Sequence, residues 1–167
     1  MARTGHIVSA YRTAVIVLSD RAAAGTRPDG CLPVVREALG PAFTVADERI
    51  LPDEPAALQA ALIELADAGM PLVLTSGGTG LGARDRTPQA TSAVLDYEIP
   101  GIGEAVRAAS VRIIATAMLS REVAGVRDRT LIVNLPGSPK AVRETIAVLV
   151  PVLPHALDLL ADNVVDG

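Results

Sequence analysis

Ser76-Gly77-Gly78-Thr79-Gly80 is the run with the clearest chemistry in the chain. Three glycines strip away side chains, so backbone N–H groups can come close to an anion. Ser76 and Thr79 add hydroxyl donors, and a helix opening near Pro88 would aim its positive N-terminal end at the same region. Gly80 is not followed by Lys-Ser or Lys-Thr, so this is no Walker A loop, and it is not the G-x-G-x-x-G dinucleotide fingerprint either. A tight turn would explain a lone Gly-Gly. Two hydroxyls, a third glycine and a capped helix after them favour a phosphate-bearing ligand.

Carboxylates lie close by in sequence. Asp85 sits between Arg84 and Arg86. A structural ion pair is the commoner fate of such a charge, and a metal ligand is the functional alternative. An unscreened carboxylate ~4 Å from a phosphate charge would cost on the order of 4 kcal/mol at a surface-like dielectric. A magnesium ion between the two turns that repulsion into a clamp. Asp53 reads equally well as a helix N-cap or as a functional carboxylate. Lys140 and Arg121 could each contact phosphate or be ordinary surface charges. Asn134 could bind a polar ring or tie down its own loop. His6 and His155 have no metal-ligand partners at useful spacing, and Cys31 reads as a small core or loop residue. Without a Gly-x-Ser-x-Gly run, a Ser-His-Asp hydrolase is unsupported.

These residues need elements to hold them. Ala14–Leu18, Phe43–Leu51, Leu72–Thr75 and Leu131–Asn134 read as strands. Helices are expected over Cys31–Leu39 with Asp29 as its cap, and from Pro55 to about Ala68 with Asp53 as its cap. A third runs from a Thr87 cap to about Leu95, and a fourth covers Glu104–Arg112 after a turn at Ile99–Gly103. Thr116–Val126 reads as a short hairpin or an irregular loop. Lys140–Ala161 reads as one helix kinked at Pro151 and Pro154. The alternation of strand and helix implies an α/β fold, with a mostly parallel central sheet covered on both faces. Ligands of such sheets bind beyond the carboxyl ends of the strands. Ser19-Asp20-Arg21, Ser76–Gly80 and Pro136-Gly137-Ser138-Pro139 leave strands there and are expected to form one site.

Composition narrows the function. A length of 167 residues favours a single domain with a real core, here read as 13–162, between an N-terminal extension 1–12 and a tail 163–167. The only aromatics are Tyr11, Phe43 and Tyr97, and the net charge is −4. Scattered cations and scarce stacking platforms argue against a nucleic-acid binder. A single cysteine excludes an intramolecular disulfide. The apolar stretch Thr145–Leu157 is too short and too broken by proline to span a membrane. Met1–Tyr11 has basic residues without an apolar segment after them, so no signal peptide is read and a cytoplasmic protein is expected.

Five segments, in order, resemble one family. They are Asp20-Arg21 with Gly25; Leu51-Pro52-Asp53-Glu54; Thr75–Gly80 with Arg84-Asp85 and Thr87-Pro88; Leu119-Ser120-Arg121 with Ala124-Gly125; and Asn134–Pro139. The resemblance is to the molybdopterin adenylyltransferases of molybdenum-cofactor biosynthesis, which include the Mog and MoaB proteins and the gephyrin G domain. It runs from about Thr13 to Ala161. It implies a three-layer α/β/α sandwich, a homotrimer, and a reaction of molybdopterin with ATP and Mg2+ that gives adenylyl-molybdopterin and pyrophosphate. By the same resemblance Asp53 and Asp85 match the two functionally important acidic positions, and they are the candidate ligands of Mg2+. Ser76–Gly80 matches the loop that receives phosphates, and Ser19, Asp20, Arg21, Arg84, Thr87, Ser120, Arg121, Asn134, Pro136, Gly137, Ser138 and Lys140 fall in further binding segments. The chain departs from the common pattern at Gly30-Cys31-Leu32-Pro33 and at Gln89, where many relatives carry glutamate. The resemblance also leaves open a non-catalytic molybdopterin carrier of the MoaB type, and a hand-off to a molybdenum insertase.

Overall fold

The computed structural model describes residues 10–162. The expected tail 163–167, His6, and all but the last three residues of the expected extension 1–12 lie outside the described residues. Six strands are β1 (Tyr11–Leu18), β2 (Phe43–Leu51), β3 (Leu72–Ser76), β4 (Tyr97–Glu98), β5 (Ala124–Arg127) and β6 (Thr130–Leu135). They form one sheet in the order β2-β1-β3-β6-β5-β4. β2, β1, β3 and β6 are parallel, and β5 runs antiparallel to both of its neighbours. The helices are α1 (Asp20–Ala23), α2 (Cys31–Leu39), α3 (Pro55–Asp67), α4 (Thr87–Ser92), α5 (Pro100–Val111), α6 (Pro139–Leu149) and α7 (Leu153–Leu160).

The layers follow from the two-residue period of the central strands. Ala14, Ile16 and Leu18 of β1, with Val73 and Ile132, face one side and pack with Leu58, Leu62 and Leu65 of α3 and Ala90 of α4. Val15 and Val17, with Leu72, Leu74, Leu131, Val133 and Leu135, face the other and pack with α2, α5, α6 and α7. Because both faces are covered, β1, β3 and β6 each carry a continuous apolar run, Ala14–Leu18, Leu72–Leu74 and Leu131–Val133. The edge strand β2 is different. It alternates in burial and carries Asp47, Glu48 and Arg49, charges that discourage pairing with another chain. The result is the three-layer α/β/α sandwich with a mostly parallel sheet that the sequence implies.

Several local expectations need correction. β1 begins at Tyr11, ahead of the apolar run, because its first residues pair with Phe43 and Thr44 of β2. Asp53 is not the cap of α3. The N-cap is Glu54, which makes no side-chain cap bond, and the Asp53 carboxylate is engaged by the backbone N–H of Asp20 at 3.0 Å. Thr87 is the first residue of α4 rather than its cap, and α4 ends at Ser92. α5 starts at Pro100, since a first-turn proline offsets the weak helix preference of Gly101 and Gly103. Thr116–Val126 contains a 3-10 helix, Ala115–Leu119, and then β5. The last segment is two helices rather than one kinked helix, because Pro151 and Pro154 both withhold N–H groups at the junction. The N-cap residue of α2 is Gly30 rather than Asp29, although the Asp29 carboxylate, one position earlier, accepts from the N–H groups of Cys31 and Leu32 at 2.9 and 2.8 Å.

Leu74 lies in the middle of β3 with no exposure, so Leu74→Ala leaves a cavity that rigid strands on both sides cannot close. Urea denaturation is expected to show a loss of about 2–5 kcal/mol. A loss under about 1 kcal/mol would mean that this central layer is not packed as described.

Candidate active site

The parallel pairing of β1, β3 and β6 sets the loops after them side by side, and the loops interlock. The Gly77 N–H donates to Leu135 O at 3.2 Å. The Ser76 hydroxyl donates to Pro136 O at 2.8 Å, so it serves the loop contact. Gly77 has φ +106°, and a Cβ there would lie 2.5 Å from Leu18 O. Gly78, at φ +68°, would place a Cβ 2.3 Å from the Thr87 hydroxyl oxygen. Both positions therefore require glycine. The Thr87 N–H donates to Gly78 O at 3.1 Å, so the first donor of α4 closes the loop and is not free for an anion.

Beneath these loops lies a cleft of about 480 Å³. Ser19, Asp53, Ser76, Gly77, Gly78, Asp85 and Gly137 line it, all of them singled out in the sequence. Arg27, Asp29, Gly30 and Cys31 line it too. Arg27 is the functional candidate that sequence reasoning missed. It is the one cation in the cleft lining, and its only signal was its place in the glycine- and proline-rich stretch Gly25–Gly30.

The acidic residues differ in how they are held. Asp20 and Asp53 bond reciprocally: Asp53 N–H donates to Asp20 Oδ1 at 2.9 Å, and Asp20 N–H donates to Asp53 Oδ2 at 3.0 Å. Arg84 donates to both Asp20 oxygens at 2.6 and 3.0 Å and to Glu54 at 3.1 Å. Those bonds hold the Asp20 carboxyl below its ordinary range. Asp53 moves the other way. Burial raises it first, and the charges of Asp20 and Asp85 raise it further. Asp85 Oδ2 accepts from the Gly82 N–H at 2.8 Å, and a Cβ at Gly80 or Gly82 would lie 3.0 or 2.8 Å from that oxygen. The loop is thus folded onto the Asp85 carboxylate. Burial also raises the Cys31 thiol, which keeps it protonated and a poor nucleophile.

The remaining sequence-selected residues lie outside the cleft lining. The Arg121 guanidinium donates to Gly80 O at 2.8 Å and to Asp85 O, and the Arg121 N–H donates to Thr79 O at 3.1 Å. It braces the glycine loop. Asn134 is buried; it donates to the Thr75 and Thr91 hydroxyls at 2.9 and 3.0 Å and accepts from Val123 N–H at 3.3 Å. Of its two readings, the structural tie is the one realised. Ser138 caps α6 by accepting from Ala141 N–H at 3.3 Å. Lys140 is exposed and pairs with Glu144 at 3.7 Å. Arg21 is exposed, and its carbonyl accepts from Thr26. Ser120 and Pro136 line a different cavity.

The sequence profile of the probable molybdopterin binding domain matches residues 14–155. The chain belongs to that family. Its relatives include a protein of Escherichia coli K12 named molybdopterin adenylyltransferase, 44% identical over 143 residues, which are 83% of this chain and 73% of the relative. One of the same name from Helicobacter pylori J99 is 39% identical over 153 residues, 89% of this chain and 87% of the relative. Among solved structures, the molybdopterin biosynthesis enzyme MoaB of Thermus thermophilus superposes with a TM-score of 0.86 at 48% identity, covering 91% of this chain and 97% of that one. The tungsten cofactor synthesizing MoaB of Pyrococcus furiosus superposes with a TM-score of 0.82 at 30% identity, covering 90% and 97%.

Within this family member, Gly77→Ala puts a methyl group against Leu18 O and forces a left-handed backbone on alanine. A destabilisation of more than about 1 kcal/mol in urea melts is expected. Wild-type stability in this variant would contradict the loop packing.

Proposed function

We propose that this chain is a molybdopterin adenylyltransferase, joining molybdopterin to ATP to give adenylyl-molybdopterin and pyrophosphate. The observation that carries the reading is one cleft in which Gly77 and Gly78, the half-buried carboxylates Asp53 and Asp85, and the cation Arg27 meet. The named activity of the Escherichia coli and Helicobacter pylori relatives supports it.

The nucleophile is the phosphate of molybdopterin. Its second pKa is about 6, so it is largely ionised at neutral pH. One of its oxygens forms a bond to the α-phosphorus of ATP. The bond from that phosphorus to the α,β-bridging oxygen breaks, and pyrophosphate departs with the electron pair. No strong base is needed, and no histidine is among the cleft-lining residues. Alignment and charge neutralisation are needed. Backbone N–H groups of the glycine loop and the Arg27 guanidinium serve both.

Asp53 and Asp85 fit a magnesium ion. Mg2+ takes one or two carboxylates with substrate phosphate and water rather than a cage of protein ligands. Among the described residues no cluster of three or more His, Cys, Asp or Glu could hold a metal, which suits an ion that arrives with ATP. Burial raises Asp53 most, and the repulsion from Asp85 that adds to it would be relieved by a cation between the two carboxylates. Asp53 and Asp85 would hold the ion, which would supply charge neutralisation for the phosphates of ATP. Assembly as a homotrimer belongs to the same reading, and exposed Ile113, Ile114, Met118 and Leu119 offer an apolar face for it. Transfer of the product to a molybdenum insertase would follow.

A single-turnover assay with molybdopterin, ATP and Mg2+ tests the activity. Asp85→Asn is expected to bind molybdopterin normally and to lose adenylylation by about 100-fold or more; full turnover would remove Asp85 from the reaction. Arg27→Ala is expected to raise the KM for ATP about tenfold, the loss of one charge-assisted bond, and an unchanged KM would free Arg27 of that role. Wild-type protein that binds molybdopterin without forming product is the carrier outcome. Light scattering that gives three times the chain mass supports the trimer, and a monomer would refute it.

A further inference from the structure

The side chain of Arg84 ties together three segments that leave parallel strands. Arg84 itself lies in the loop after β3. Its guanidinium forms a bidentate fork on Asp20, the first residue after β1 and its Ser19 cap, at 2.6 and 3.0 Å. A third bond, at 3.1 Å, goes to Glu54, the N-cap residue of α3 after β2. Neither Arg84 nor Asp20 lines the cleft, so the pair is not placed to touch a substrate there. Both are instead one step from its carboxylates. Arg84 directly precedes Asp85, Glu54 directly follows Asp53, and Asp20 exchanges two bonds with Asp53 at 2.9 and 3.0 Å.

These connections close a ring. Arg84 is joined to Asp85 along the chain, to Asp20 through space, and through Asp20 to Asp53; its bond to Glu54 returns to the neighbour of Asp53. The separation of Asp53 and Asp85 is thereby tied to one guanidinium. Other contacts hold each carboxylate singly. Asp85 Oδ2 accepts from Gly82 N–H at 2.8 Å, and α3 begins two residues after Asp53; neither contact reaches the other carboxylate. Folding stability does not account for the arrangement. The side chains of Arg84, Asp20 and Glu54 are 57%, 41% and 57% exposed, and ion pairs so exposed add little to stability. What a planar fork on a carboxylate does supply is orientation.

Orientation matters most to a small cation. Mg2+ demands near-ideal octahedral geometry at short range, so two carboxylates serve it only at the right spacing. Residues that orient metal ligands typically change metal affinity or activity by about 10–100-fold when they are altered. Resting on the adenylyltransferase reading and its magnesium ion, we propose that Asp20 and Arg84 are positioning residues, which together set the spacing of Asp53 and Asp85 for the Mg2+ that accompanies ATP and do not touch ATP themselves. The resemblance puts both residues in binding segments, and their engagement with each other makes that role indirect.

Calorimetry of ATP binding, with Mg2+ and with EDTA in its place, separates the possible roles. Arg84→Lys keeps the positive charge and loses the planar fork. It is expected to bind metal-free ATP as the wild type does, and to lose about tenfold of the gain in ATP affinity that Mg2+ brings. Asp20→Asn keeps an oxygen for the Asp53 N–H but loses the charge that Arg84 pairs with, and the same loss of the magnesium gain is expected. The double variant is expected to lose no more than either single one, because residues that act as a unit are not additive. Urea midpoints are expected to stay at the wild-type value, and either single variant stands in for the other if one melts early. A wild-type magnesium gain in Arg84→Lys would overturn the positioning role. So would weaker metal-free ATP binding by that variant, the mark of direct contact with nucleotide, and so would losses that add in the double variant. Each of those outcomes leaves the adenylyltransferase reading intact. Wild-type protein that binds no ATP, or binds it equally with and without Mg2+, would instead overturn the reading on which the positioning role rests.

Discussion

The backbone of Gly77 lies where no side chain fits, 2.5 Å from Leu18 O at the position of an added Cβ, and the rest of the site depends on that approach. It requires the carboxyl ends of β1 and β3 to be neighbours, and the bond from Gly77 N–H to Leu135 O requires β6 to be the next strand. Those strands can be central and parallel only if both of their faces are covered. The continuous apolar runs of β1, β3 and β6 thus serve the loop geometry as well as the core. A defect in their packing is felt at Gly77 first, because close contacts between backbones have no side-chain freedom to absorb a shift.

A second constraint is charge. The chain carries −4 overall and its proposed ligands are polyanions, yet most nearby cations are already engaged. Arg84 is held by Asp20 and Glu54, and Arg121 by two backbone carbonyls. Arg27 alone is left to face the cleft. Free cations would bind triphosphate strongly in the ground state, and ground-state binding does not speed the chemical step. Fixed backbone donors and carboxylates that need a cation beside them suit a site whose contacts mature only when both substrates are present.

How much of this was legible in the sequence depended on whether the signal was local. β1, β3 and β6 are readable because apolar runs bounded by turn residues are a local pattern, and the loops after them are readable by the rule that places ligands at carboxyl ends. β4 has two residues and β5 four, too few for periodicity to register. The roles of Asn134 and Arg121 depend on partners 59 and 41 positions away, and no spacing rule reveals those. The same holds for Asp53. Its place before Pro55 looks like a cap, but its carboxylate is drawn to the N–H of Asp20 across the sheet edge, so tertiary contact overrides the local preference. Arg27 was missed because a loop cation has no periodicity at all.

The chemistry assigned to the cleft happens at phosphorus, at one end of the substrate. A site that aligns a phosphate monoester with an α-phosphate has no cause to discriminate between metals that join the product later. That separation accounts for a structural neighbourhood in which a molybdopterin biosynthesis enzyme and a tungsten cofactor synthesizing protein superpose on this chain almost equally well, with TM-scores of 0.86 and 0.82. What must be kept across such proteins is the phosphate geometry, and that geometry rests on backbone positions and a few glycines.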